Sequence, residues 1–146
     1  MAIEERKSLA APCGIDCGMC ELYFCRDNQQ LFKYLVSIGI PEDKLPCPGC
    51  REIKGNCPVL KDTCATYECA SAKNIDFCFD CTDFPCSRLN PSLDRADILP
   101  HNMKMFNLCT IQRKGLDVFI EQSAEIKKKY YNGKMEIGNG PQIENG

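Results

Sequence analysis

Cysteine falls at positions 13, 17, 20, 25, 47, 50, 57, 64, 69, 78, 81, 86 and 109 of this 146-residue chain, and twelve of the thirteen precede residue 87. Two thiols separated by two residues can turn both sulfurs onto one ion, and that spacing recurs at Cys17/Cys20, Cys47/Cys50 and Cys78/Cys81. The turns in CGMC and CPGC contain glycine; CFDC has weaker turn chemistry. A structural zinc ion takes four protein ligands in a tetrahedron. Filled in chain order, Cys13, Cys17, Cys20 and Cys25 close one site, Cys47, Cys50, Cys57 and Cys64 a second, and Cys69, Cys78, Cys81 and Cys86 a third. Cys109 is left free. Sites that interleave distant segments, or two ions with five spare thiols, satisfy the same spacings.

Thiolates also hold iron–sulfur clusters. Cys13, Cys17 and Cys20 have the CxxxCxxC spacing by which radical enzymes using S-adenosylmethionine keep one iron open, but the chain has neither the length nor the strand–helix alternation of their barrel. CxxCxxxxC at Cys78, Cys81 and Cys86 occurs in some cluster proteins too. Softness of the donors does not separate zinc from iron–sulfur, so both stay open at this point.

The redox compartment bears on the choice between metal and disulfides. Residues 1–12, MAIEERKSLAAP, carry charges mid-segment and lack the roughly 7–15-residue apolar run of a secretory signal. No stretch approaches the ~18 apolar residues of a membrane span. The expectation is a cytoplasmic chain with reduced thiols, where dense cysteine signals metal, and an odd count fits a fully paired disulfide framework poorly. Metal bracing also answers a weakness in composition. Leu, Ile, Val and Phe number 33 of 146, a little above the roughly one-fifth level at which burial alone struggles to fold a chain.

The elements that must position these thiols are predicted to be mainly helical in a single domain of 1–146. Residues 13–86 form the cysteine-rich metal-binding part with knuckle loops, 90–131 a helical part and 132–146 an irregular tail. Apolar spacing predicts a helix over 21–38 with Leu22, Cys25, Phe32, Leu35 and Val36 on one side, ending at Gly39. Pro46, Pro48, Gly49, Gly55 and Pro58 break the next segment into turns. Short helices are expected at 90–99 and 100–114, the second carrying Met103, Phe106, Cys109 or Thr110, and Arg113 on one face and Met105, Leu108 and Ile111 or Gln112 on the adjoining one. A third, over 116–131, shifts phase at Ser123, which reads as a fresh N-cap.

Other residues have weaker chemistry. His101, the one histidine, could ligate metal, carry a proton or cap a helix, and lacks a fixed partner. Cys109 reads as a small buried hydrophobe. Asp16, Glu68, Asp80 and Asp83 lie beside candidate ligands, where carboxylates commonly cap turns. GKMEIGNGP lacks the ordered spacing of a phosphate loop. The formal charge is −2, and twelve thiolates on three divalent ions take it to about −8, which disfavours a nucleic-acid partner. Lys127–Lys129 with Tyr130 and Tyr131 is the one basic-aromatic run and reads as a solvated face.

The segments APCGIDCGMCELY, CPGCR, CATYECASAKNIDFCFDCTDFPCSRL, LPHNMKMFNLCTIQRKGLDVFIEQ and YYNGKMEIGNGP together resemble the cysteine-rich family catalogued as domain of unknown function 3795. The resemblance spans nearly the whole chain and implies a zinc-binding protein with no assigned activity. Its recurring cysteines fall on Cys13, Cys17, Cys20, Cys47, Cys50, Cys64, Cys69, Cys78, Cys81 and Cys86; Cys25, Cys57 and Cys109 lie outside that set. The reading is thus a module with two or three structural zincs that binds a protein or small ligand of unknown identity. Its rival is an iron–sulfur redox protein or metal-dependent enzyme working at Cys13, Cys17 and Cys20.

Overall fold

The computed structural model of the chain describes residues 2–89 and 103–144. The helix expected at 90–99, the start of the one expected at 100–114, and His101 lie outside those residues. The described part is mostly helical: α1 (Ile3–Ser8), α2 (Glu21–Phe24), α3 (Gln29–Ser37), α4 (Ala65–Ala72), α5 (Lys104–Lys114) and α6 (Leu116–Asn132) precede an antiparallel hairpin of β1 (Lys134–Glu136) and β2 (Gly140–Gln142). None of the described helices is long and apolar enough to cross a membrane.

The helix expected over 21–38 is broken in two. Asn28 adopts an extended conformation and its side chain accepts from the Leu31 N–H at 3.0 Å, so a local cap outcompetes continuation of the helix. α3 closes on Gly39, whose N–H donates to Val36 O while Ile40 N–H donates to Leu35 O, the paired bonds of a Schellman stop. Leu22, Cys25 and Leu35 are buried together, with Phe32 packed against them.

Three expectations are corrected toward the C-terminus. Residues 116–132 form one helix, and Ser123 is no cap: its hydroxyl donates to Ile120 O at 3.0 Å and accepts from Arg6 Nη2 at 3.0 Å. Cys109 is exposed rather than buried, because α5 turns Lys104, Asn107, Leu108 and Ile111 inward at helical spacing. The tail expected to be irregular contains the β1–β2 hairpin, with Met135 opposite Pro141.

Among the described residues two apolar clusters form the core, and both incorporate cysteines. Leu9, Ala10, Ala11, Cys13, Cys17, Tyr23, Phe77, Leu89, Leu108, Ile111 and Phe119 make the larger one, with Cys50 and Cys78 packed against it. Leu22, Cys25, Leu35 and Cys47 make the smaller, with Cys20 and Cys57 against it. The loops that carry the thiols are tied to distant backbone: Cys17 N–H donates to Leu9 O, Cys47 N–H to Leu22 O, Cys64 N–H to Gly55 O and Cys78 N–H to Pro12 O.

Candidate metal centres

The loop from Leu9 to Cys20 is folded tightly on itself. Ala10 and Asp16 form an isolated antiparallel bridge, Ala11 N–H donates to Ile15 O at 2.9 Å, and Gly14 N–H to Ala11 O at 2.9 Å. Both glycines of CGIDCGMC are required by close approach. Gly14 has φ +90°, and a Cβ there would lie 2.8 Å from Lys104 O and Leu108 Cγ. A Cβ at Gly18 would collide with the Arg6 guanidinium. That guanidinium grips Asp16 with two nitrogens, Nη1 donating to Oδ1 at 2.6 Å and Nη2 to Oδ2, and Nη2 also reaches Ser123 on α6. Asp16 in turn accepts from Gly18 N–H at 3.0 Å, so it sets the turn that presents Cys17 and Cys20.

Against this loop stands the CPGCR segment. Cys17 and Cys50 Sγ are 3.5 Å apart, and the Cys50 N–H donates to Cys17 Sγ at 3.4 Å. Sulfurs about 2.3 Å from one tetrahedral zinc sit about 3.8 Å from each other. The observed pair therefore matches co-ligands in spacing and joins two segments that chain-order grouping keeps apart. The thiol and N–H of Cys50, helped by Arg51, hold the Cys17 thiol below the ordinary range; the hydrogen bond to Cys17 favours the protonated form of Cys50 and, with burial, pushes it up. Arg51 braces the loop by donating to Ala10 O at 2.8 Å and pairing with Asp76 at 2.9 Å.

Five more thiols surround this pair. Burial pushes Cys13, Cys47 and Cys57 up and Cys20 up to about 11. The Lys104 ammonium opposes the shift at Cys13, while neighbouring sulfurs add to these shifts: Cys64 and Cys17 at Cys13, Cys57 at Cys20, and Cys47, Cys17 and Cys64 at Cys57. Cys13, Cys17, Cys20, Cys47, Cys50, Cys57 and Cys64 are thus electrostatic neighbours, a set that Cys25 touches at Cys47 and that Cys13 links to Cys78. Cys25 is buried in the smaller core, where its Sγ donates to Leu22 O at 3.2 Å.

The other four candidates share a cavity of about 170 Å³ whose lining includes Cys69, Cys78, Cys81 and Cys86, with Lys73 and Asp83 at its edge. Cys69 comes from α4, Cys78 from the turn Cys78–Asp80, and Cys86 is exposed. Burial pushes Cys78 up to about 12, with Cys13, Cys86, Cys69 and Cys81 contributing. Cys81 moves the other way, because Lys73 Nζ lies 3.0 Å from its sulfur and Asp83 N–H donates to it at 3.3 Å.

The donor chemistry of both groups fits a soft divalent ion. Among the described residues, however, no three His, Cys, Asp or Glu side chains converge closely enough to hold one. The neighbouring carboxylates have structural partners: Asp80 accepts from Phe77 N–H at 3.2 Å, and Asp83 pairs with Lys73 at 3.0 Å. Spacing gave no sign of Arg6, Arg51 or Lys73, because their partners are distant in sequence and met only in the fold.

A second cavity, of about 210 Å³, lies between the Cys17–Met19 turn and α5/α6. Ile15, Met19, Met103, Phe119 and Ile126 supply apolar wall, and Asp16, Cys20, Asn107, Ser123 and Lys127 line it too. Lys127 donates to Met19 O and to Glu21 Oε1 at 2.7 Å, and its ammonium stands 5.2 Å from the Phe24 ring centroid. Lys129 pairs with Glu125 at 2.9 Å. Two lysines of the basic run are therefore engaged within the chain.

A family model described as "Protein of unknown function (DUF3795)" matches residues 9–91, more than half of the chain. The chain belongs to this family. The span matched to DUF3795 contains all twelve candidate ligands and ends before α5, α6 and the hairpin. Neither a curated protein nor a solved structure matches the chain.

Proposed function

We propose that this DUF3795 protein is a cytoplasmic, zinc-braced binding module whose sulfur centres are structural. One ion occupies the group of Cys69, Cys78, Cys81 and Cys86; one or two occupy the seven-thiol group around Cys17 and Cys50. The observation that supports the reading is a cavity whose lining includes four cysteines from one short stretch of chain, the number of sulfurs that a structural zinc takes. Metal binding draws the four sulfurs onto a common centre and supplies folding free energy of about 10–16 kcal/mol. The partner is a protein or a small ligand, and the cavity beside Cys20 is the apolar hollow suited to the latter.

Elemental analysis of protein purified anaerobically without added metal tests this. Two or three zinc ions per colourless chain are expected. Brown protein with near-stoichiometric iron and sulfide would replace the structural reading with an electron-carrying or enzymatic one at Cys13, Cys17 and Cys20.

A further inference from the structure

Lys73 stands beside the second sulfur group without being a ligand of any kind. It follows the last residue of α4, and its N–H donates to Cys69 O at 3.1 Å. Its Nζ lies 3.0 Å from Cys81 Sγ and 3.0 Å from Asp83 Oδ2. Asp83 contributes twice: its carboxylate anchors the ammonium, and its backbone N–H donates to the same sulfur at 3.3 Å. The Cys81 sulfur, on the cavity wall with Cys69, Cys78 and Cys86, therefore accepts two hydrogen bonds, one of them from a cation.

Four thiolates on a divalent ion leave the centre with a net charge of −2. Donors to a ligating sulfur disperse that charge and fix the direction of its lone pairs. The first sulfur group is provided for differently. There the donors to Cys17 are Cys50 and its own N–H, and the adjacent guanidinium of Arg51 is engaged by Ala10 O and Asp76.

Resting on the metal reading above, we infer that Lys73 is a positioning residue for the second centre: its ammonium, held by Asp83, donates to the Cys81 thiolate and offsets the charge of the tetrathiolate site. That centre then retains its ion more tightly than its four sulfurs alone achieve. The Lys73 side chain is 40 % exposed, so replacing it leaves the core intact.

The test uses full-length wild type, Lys73→Met and Lys73→Arg, each loaded with cobalt(II) for spectra and with zinc for competition against a chelator. Lys73→Met is expected to weaken one class of sites by about 10–100-fold and leave the other unchanged. Its sulfur-to-cobalt charge-transfer band should move to lower energy, because a thiolate relieved of a hydrogen bond is a stronger electron donor. Lys73→Arg, which keeps the cation and the N–H donors, should restore both the affinity and the band. Wild-type affinities and spectrum in Lys73→Met, or equal losses in Met and Arg, would overturn the inference while leaving zinc binding intact. A wild-type chain that takes up neither metal overturns the metal reading itself, and this inference falls with it.

Discussion

Arg6 sits on a six-residue helix, yet its guanidinium ends against Asp16 in the CxxxCxxC loop, the face of Gly18 and the hydroxyl of Ser123 on α6. The side chains of the ion pair are 11 % and 8 % exposed. Removing one member of such a pair strands the other charge away from water, so Arg6→Met is expected to destabilise the zinc-loaded protein by about 3–5 kcal/mol. Guanidinium unfolding at fixed free zinc measures it. Asp16→Asn should cost less, since an amide oxygen still accepts from Gly18 N–H and keeps the turn. None of this pairing is visible in sequence: Arg6 looks like an ordinary solvated charge and Asp16 like a turn cap until the loop closes on itself. The two glycines between the cysteines are legible as turn residues, but the groups that leave no room for a Cβ there, Lys104, Leu108 and Arg6, are met only in the fold.

At the scale of elements, the junction between α5 and α6 is a single residue. Gly115 has φ +94° and ψ +159°, and a Cβ there would meet nothing within 4 Å. Gly115→Ala therefore tests backbone strain without a clash, and a loss of about 1–3 kcal/mol in thermal or chemical unfolding is expected. Asn28→Ala removes the cap that separates α3 from the turn before it, which should cost about 1 kcal/mol by the same measurement. The helical exit at Gly39 was legible, because glycine's conformational range is a property of the residue. The break at Asn28 and the inner face of α5 were not. Apolar periodicity around Leu22 and Leu35 runs straight through Asn28, and periodicity on α5 allowed two faces; only packing turned Leu108 and Ile111 inward and left Cys109 in solvent.

For the molecule as a whole, the sulfur groups and the core are one structure: Cys13, Cys17, Cys25 and Cys47 are buried members of the apolar clusters. Structural zinc supplies free energy comparable to the ~5–15 kcal/mol net stability of a domain. Chelation should therefore abolish amide protection across residues 9–89 while α5 and α6 keep partial helicity, a contrast that hydrogen exchange resolves. Metal uptake should also release protons. Burial keeps Cys20 at about 11 and Cys78 at about 12, so both are protonated at neutral pH, whereas Cys17 and Cys81 lose their protons earlier. The number of protons released per zinc is expected to fall as pH rises, because Cys17 and Cys81, held below the ordinary range, ionise before the buried thiols do. Calorimetry in buffers of different ionisation enthalpy counts them.

The sequence by itself determined the cysteine-rich, mainly helical character and the family, because cysteine spacing, turn residues and apolar periodicity are local properties. The tertiary structure alone decided which sulfurs meet. Cys17 faces Cys50, from a segment well outside its own turn, and Cys81 acquires Lys73 across the turn that follows α4, because hydrogen bonds and burial align those segments. Spacing limits how two thiols in one turn can point; it says nothing about which other turn will be packed against them.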